Sequence, residues 1–140
     1  MSEWSRRFHA RPPCLSDVTH VLSVTCGSTV SCVKLVTEAV VEALTAHDLE
    51  AFVACYRVDA IIETGSGEVL ASGHQAIRAR YGPLLMSFPD VRVRKIEGFA
   101  VGEYIVQLEE VEVRGNLAPE RHVAIYRIIN GLIAHERLLR

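Results

Sequence analysis

The sequence predicts an α+β fold, three helices packed on one face of a curved, mostly antiparallel sheet, and three observations predict it. Apolar residues recur at spacings of three and four from Val33 to Tyr56, the period of helices with one buried face. After Pro89-Asp90 the pattern changes to four strand-like runs separated by turn residues. Between the last two runs lies Asn130-Gly131, the pair best suited to the tight primed turn of a hairpin. With 140 residues the chain has enough length for one hydrophobic core and little for two, so one domain is expected.

Residues 1–30 read unlike the rest. Arg11-Pro12-Pro13, many Ser and Thr residues and the lack of a clean period mark them as an extension, although Val18, Val21, Leu22 and Val24 would suit one short strand. The domain proper, residues 31–140, opens with SCVKLVTEAVVEALTAHD, in which Val33, Val36, Val40, Ala43 and Leu44 share a helical stripe. Asp48 is a suitable N-cap for a second helix, LEAFVACYR, with Leu49, Phe52, Val53 and Tyr56 on its buried side. DAIIET, GSG and EVLAS then read as a hairpin. Ser72-Gly73-His74-Gln75 has the form of a capping box, and the helix after it is expected to bury Ile77, Tyr81, Leu84, Leu85 and Phe88. Pro83 lies inside that helix and should kink it or end its regular part. VRVRKIEGFAV, YIVQLEEVEVR, RHVAIYRII and LIAHERLL complete an antiparallel meander that the helices cover on one side.

A composition of 49% hydrophobic and 23% charged residues, with mean hydropathy +0.20, belongs to a globular protein. A net charge of −2 and scattered Arg residues lack the basic footprint of a nucleic-acid binder, so no nucleic-acid partner is expected. No run approaches the roughly 18 apolar residues of a membrane span. Arg6 and Arg7 precede only a loose imitation of a signal peptide, interrupted by Asp17 and His20. A cytoplasmic protein without a membrane partner is therefore the expectation. Cys14, Cys26, Cys32 and Cys55 show no CxxC and no paired His-Cys spacing, which argues for reduced thiols and against a metal site. Gly65-Ser66-Gly67 is a hairpin turn and not a phosphate loop, and no cofactor is expected.

One anomaly opens the question of a site. Glu136 shares a strand face with Leu132, Ala134 and Leu138, and an ionised acid on a core-facing surface is costly unless it is paired or keeps its proton. Counting back from Asn130-Gly131 pairs Glu136 with Ile125, Leu138 with Val123 and Ala134 with Arg127. This aliphatic face is expected inward. His122, Tyr126, His135 and Arg137 then lie on the opposite face, suited to solvent or a subunit contact. A simple register for the preceding strand adds Glu110 and Glu112 to the inner face, with Val106 and Leu108 below; a bulge at Glu109-Glu110 would instead turn Val111 and Val113 inward. Thr64 follows Ile62 at strand spacing and should also point in. Glu136 is then a candidate acid/base group, helped by Glu110 or Glu112, with Tyr56 and Thr64 orienting ligand or water. The plainer alternatives are a rim Glu136 paired with an Arg, a Tyr56 that only packs, and a Thr64 bonded to backbone.

The phrases HDLEAFVACYRVDAIIET, GEVLASGHQAIRARY and VAIYRIINGLIAHERLL, in this order, resemble the nuclear transport factor 2-like superfamily over about residues 33 to 140. More narrowly they resemble its branch of SnoaL-type polyketide cyclases, ketosteroid isomerases and limonene-epoxide hydrolases. The resemblance implies a cone-shaped α+β barrel around one pocket, and frequently a homodimer formed sheet to sheet. It does not specify chemistry, because that superfamily hosts isomerases, lyases, hydrolases and binding modules. In ketosteroid isomerases a tyrosine and two acids carry the proton shuttle; the matching positions here are Val40, Thr64 and either Ala124 or Ile125, so that steroid mechanism is absent. In limonene-epoxide hydrolases an aspartate-arginine-aspartate set does the work, and the matching positions are Glu112, Glu110 and Leu138, with Ile62 and Thr64 where a tyrosine and an asparagine help hold the water. One acid survives there, as Glu112. The resulting expectation is a pocket for a small hydrophobic molecule, lined by Tyr56, Thr64, Ile62, Val106, Leu108, Ile125 and Leu138. Its owner would be a cofactor-independent isomerase, cyclase or hydrolase or, alternatively, a non-catalytic ligand-binding or dimerisation module.

Overall fold

The computed structural model describes residues 29–115 and 118–140, with side chains from Val36 onward. Of the extension expected at residues 1–30, residues 1–28, with the short strand considered within them, lie outside the described residues, and Thr29 and Val30 open the first helix. The elements run α1 Thr29–Thr45, α2 Leu49–Ala54, β1 Tyr56–Thr64, β2 Val69–Ser72, α3 Gly73–Ser87, β3 Arg92–Val101, β4 Tyr104–Glu112, β5 Glu120–Ile129 and β6 Leu132–Leu139. Six strands form one sheet in the order β2-β1-β6-β5-β4-β3. Only β1 and β6 pair in parallel; the rest of the sheet is antiparallel. The sheet does not close on itself, because β2 and β3 stand at its two ends, and the helices cover one face. Among the described residues no helix is long and apolar enough to cross a membrane.

Local chemistry explains most of the element ends. The Asp48 side chain accepts the Ala51 N–H at 3.0 Å and so caps α2. This helix stops three residues short of the expected Arg57, since the Cys55 carbonyl accepts the Ile133 N–H at 2.9 Å and draws the chain into the sheet. Tyr56 therefore opens a strand and does not close a helix. Ser72 occupies the N-cap position of α3, yet its side chain makes no capping bond; as the last residue of β2 it is held by pairing with Ile61. The helix runs on through Pro83 to Ser87. The carbonyl that loses its donor there belongs to Ala79, an exposed residue, so water can replace the missing bond. Ile77 and Leu85 are buried as expected, whereas Leu84 and Phe88 are not.

Register carries the most consequence. Asn130 and Gly131 both have positive φ, 53° and 79°, the geometry of the primed turn. Beyond it Ile129 pairs with Leu132 and Ile128 with Ile133, but then Arg127 pairs with His135 and Tyr126 with Glu136. Ala134 is the extra residue of a bulge, and every position after it is displaced by one against β5. A second bulge, at Ile96, falls where Lys95 and Glu97 pair with Glu109 and Leu108. Gly98 follows it at a close approach: a Cβ there would stand 2.9 Å from the Val106 carbonyl oxygen.

The core lies between the helices and the inner sheet face, with Val40, Phe52, Tyr56, Ile62, Ile77, Tyr126, Ile128 and Ile133 all but fully buried. Rings from three elements meet in it. Phe52 packs against Tyr56 at 5.0 Å and Tyr81 at 4.6 Å between centroids. The far edge of the sheet is tied to α1 by one side chain: Thr45 Oγ1 donates to the Val93 carbonyl at 3.0 Å and accepts the Val93 N–H at 3.2 Å. Both backbone groups lie on the free side of edge strand β3, so a single hydroxyl satisfies a donor and an acceptor that would otherwise invite pairing with another chain.

Thr45→Val keeps the shape and removes both bonds. It should lower unfolding stability in urea by about 1–2 kcal/mol and speed amide exchange at Val93, whereas Thr45→Ser should stay near wild type. Unchanged stability and exchange in the valine variant would rule the clamp out.

Candidate functional site

Glu136 sits on the inner face of β6 beside Ile62 of β1 and Tyr126 of β5, and is 4% exposed. Its carboxylate Oε2 accepts the Tyr56 hydroxyl at 2.5 Å, a short bond of the kind made to charged or proton-sharing oxygens. Burial pushes the Glu136 carboxyl up to about 8; the Tyr56 bond works against that rise, and the nearby charge of Glu109 adds to it. The Tyr56 phenol is itself held well above its ordinary value, first by burial and then by the Glu136 charge. Tyr81 is raised too, for the same two leading reasons. The phenols thus remain donors.

A second acid stands on the same face, in β4. Glu109 is 2% exposed, and its Oε1 accepts from both the Tyr126 hydroxyl at 2.7 Å and Gln107 Nε2 at 2.8 Å. Its Oε2 lies within hydrogen-bonding distance of His122 Nε2, at 3.0 Å. Tyr126 is fully buried and its phenol is pushed well up by burial, then by the charges of Glu136 and Glu109. Two carboxyl groups, three phenols, one amide and one imidazole therefore occupy a region otherwise built from Ile62, Ala124, Ile105 and Leu138. Among the described residues, no three His, Cys, Asp or Glu side chains group as metal ligands.

The structure brings together only part of the expected set. Glu136, Tyr56, Ile62 and Leu138 belong to the inner side. Glu110 points the other way, where Arg94 and Arg121 hold it; their bonds keep its carboxyl below the usual glutamate value. Glu112 is exposed near the end of β4. Thr64 stands at the β1–β2 turn, with its hydroxyl 2.9 Å from Ser66 Oγ and accepting the Glu68 N–H at 3.1 Å, so it serves the turn. Val106, paired with Ile125, and Leu108, paired with Val123, lie with them on the outer face. Conversely, His122 and Tyr126, expected outside, point inward. Of that outer set His135 and Arg137 remain, both paired with Glu63.

The bulge at Ala134 is the physical reason for the change in β5: one inserted residue makes Glu136 face Tyr126 in place of Ile125. Glu109 was legible in a weaker way. Neighbouring residues of a strand point to opposite faces, so any regular register sends one member of the Glu109-Glu110 pair inward.

A family model for the SnoaL-like domain matches residues 37–136. The chain belongs to the SnoaL-like domain family. A search of curated proteins finds no match to the sequence. Among solved structures, an uncharacterized cystatin-fold protein from Novosphingobium aromaticivorans is similar at 20% identity and TM-score 0.70, over 78% of this chain and 97% of that one. A candidate polyketide cyclase from Sinorhizobium meliloti is similar at 18% identity and TM-score 0.64, over 74% and 92%. A candidate ketosteroid isomerase from Kribbella flavida is similar at 15% identity and TM-score 0.64, over 79% and 78%. At these identities the likeness establishes the shared fold, the nuclear transport factor 2-like architecture that another match also carries.

The raised Glu136 carboxyl makes stability depend on pH in this SnoaL-like domain. An unfolded glutamate loses its proton near 4.5, whereas folded Glu136 keeps it to about 8. Between these values the folded state binds the extra proton, so the contribution of Glu136 is full below about 4.5 and is lost as pH rises toward 8, at up to about 1.4 kcal/mol per unit. Glu136→Gln lacks this term. Its stability relative to wild type, from urea unfolding between pH 5 and 9, should improve steadily with pH and level off above 8. Parallel curves for the two proteins would contradict the buried-acid assignment.

Proposed function

We propose that this SnoaL-like domain is a cofactor-independent acid/base enzyme of the isomerase, cyclase or hydrolase kind, acting on a small, largely apolar molecule with a carbonyl or epoxide group. The observation that carries this reading is Glu136, buried, bonded to Tyr56 and holding its proton up to about pH 8. A carboxyl of that strength is a serviceable acid when protonated and a much stronger base than an ordinary carboxylate once ionised, which suits proton transfer near neutral pH. Glu109 takes the supporting role first given to Glu110 or Glu112. Its bonds to Tyr126, Gln107 and His122 hold a second carboxyl in one orientation, and two such groups in a water-poor site can give and receive a proton on the same ligand. The Tyr56 bond favours the ionised form of Glu136 and so limits how far burial raises it.

A probe that needs only a desolvated base tests this without knowledge of the natural substrate. Ring-opening of 5-nitrobenzisoxazole by removal of its C–H proton should be catalysed, with a rate that rises through a midpoint near pH 8. Glu136→Gln should lose about a hundredfold or more, and Tyr56→Phe should move the midpoint upward, since the phenol's bond lowers the Glu136 value. Equal rates for wild type and Glu136→Gln would sink the acid/base assignment. Retained binding of an apolar dye together with no turnover would favour a ligand-binding module.

Assembly is a second element of the proposal, favoured by a specific surface. Phe99, Val101 and Tyr104 are 62%, 58% and 43% exposed, and Phe99 pairs with Val106 on the outer sheet face. Aromatic and aliphatic side chains displayed together on a sheet are common at contacts between subunits. A homodimer joined through this face is expected to sediment at about twice 15.5 kDa at tens of micromolar. A monomer mass under those conditions would count against it.

A further inference from the structure

Gln107 lies at the centre of β4 on the inner face and is fully buried. Its Nε2 donates to Glu109 Oε1, whereas its Oε1 is the one buried side-chain oxygen or nitrogen without a hydrogen-bond partner among the described residues. The amide cannot be turned over to cure this. Reversal would bring its carbonyl oxygen against the Glu109 oxygen 2.8 Å away, an acceptor facing an acceptor. Nor can the neighbouring donors help, because the Tyr126 hydroxyl and His122 Nε2 are spent on Glu109 and the Tyr56 hydroxyl on Glu136.

A buried carbonyl left without a donor is destabilising, and such atoms in folded proteins usually have a role. A core built for stability alone would carry an aliphatic residue here, as it does at Ile105 two positions earlier on the same face. Across the sheet Gln107 pairs with Ala124, the smallest side chain on its stretch of β5, so no polar group of that strand position meets the amide. The orphan atom is a neutral acceptor. It suits a neutral donor, a hydroxyl, better than an ammonium group, which the adjacent carboxylate would claim.

We propose that Gln107 Oε1 accepts a hydrogen bond from a ligand hydroxyl, so that the site selects phenols or enols over otherwise similar molecules without the O–H. This deepens the proposed function by naming the substrate class. It rests on the ligand-binding half of that reading and requires no turnover.

The test compares 2-naphthol with 2-methoxynaphthalene, which has the same ring system and an oxygen that cannot donate. Isothermal calorimetry should show wild type binding the naphthol at least about tenfold more tightly, the discrimination that one unmet buried acceptor produces. Gln107→Met, similar in length and volume but without a strong acceptor, should lose most of that ratio while still binding the methyl ether. Glu136→Gln should keep the ratio even where it has lost action on 5-nitrobenzisoxazole, which separates failure of catalysis from failure of recognition. The proposal is overturned if wild type binds neither probe or prefers the ether, if Gln107→Met retains the preference, or if Glu136→Gln abolishes it. Should Gln107→Met not fold, the wild-type ratio and the Glu136→Gln ratio decide the matter between them.

Discussion

The hydrogen bond between Tyr56 and Glu136 joins the first strand to the last inside the core, and the arrangement around it follows from the need to keep a carboxyl group there. An ionised acid surrounded by Ile62, Ala124 and Leu138 would lose its hydration with little in return. The fold meets this in two ways at once. Tyr56 supplies a donor, and the carboxyl keeps its proton through neutral pH. The parallel pairing of β1 with β6 is what brings the two groups together from 80 residues apart in sequence. Phe52 then fixes the Tyr56 ring from α2, so helix, first strand and last strand all bear on one bond.

The two faces of the sheet treat acids in opposite ways. On the outer face Glu110 and Glu63 are nearly as buried as the inner acids, but guanidinium groups reach each of them from the rim, and both are held below the usual glutamate value by those partners. The long Arg side chains keep their charge partly in water while neutralising the acid beneath. Inside, no cation from Arg or Lys approaches Glu136 or Glu109 among the described bonds, and phenols, an amide and an imidazole do the pairing. The same carboxyl group is thereby held below its ordinary value by guanidinium partners at Glu110 and Glu63 and pushed above it by burial at Glu136. The difference comes from environment alone.

The element order of the fold was legible from the chain by itself. Helical period, strand alternation, the Asp48 cap and the Asn130-Gly131 turn are local signals, each set by backbone sterics or by a hydrogen bond spanning a few residues. They placed Tyr56 and Glu136 in the candidate site, together with Glu110 and Glu112, which the fold does not bring there. Tertiary structure decided which acid went where. A single extra residue at Ala134 displaces β6 against β5, exchanges Ile125 for Tyr126 opposite Glu136, and turns inward the β5 side chains that a regular hairpin would send out. Bulges have no reliable local signature, because they are chosen by the packing of faces that meet only after the sheet has formed. For the same reason the Tyr126 phenol opposite Glu136 and the unmet amide oxygen of Gln107 belong to the folded chain and could not be read from the sequence: both arise from neighbours that strand pairing alone brings into contact.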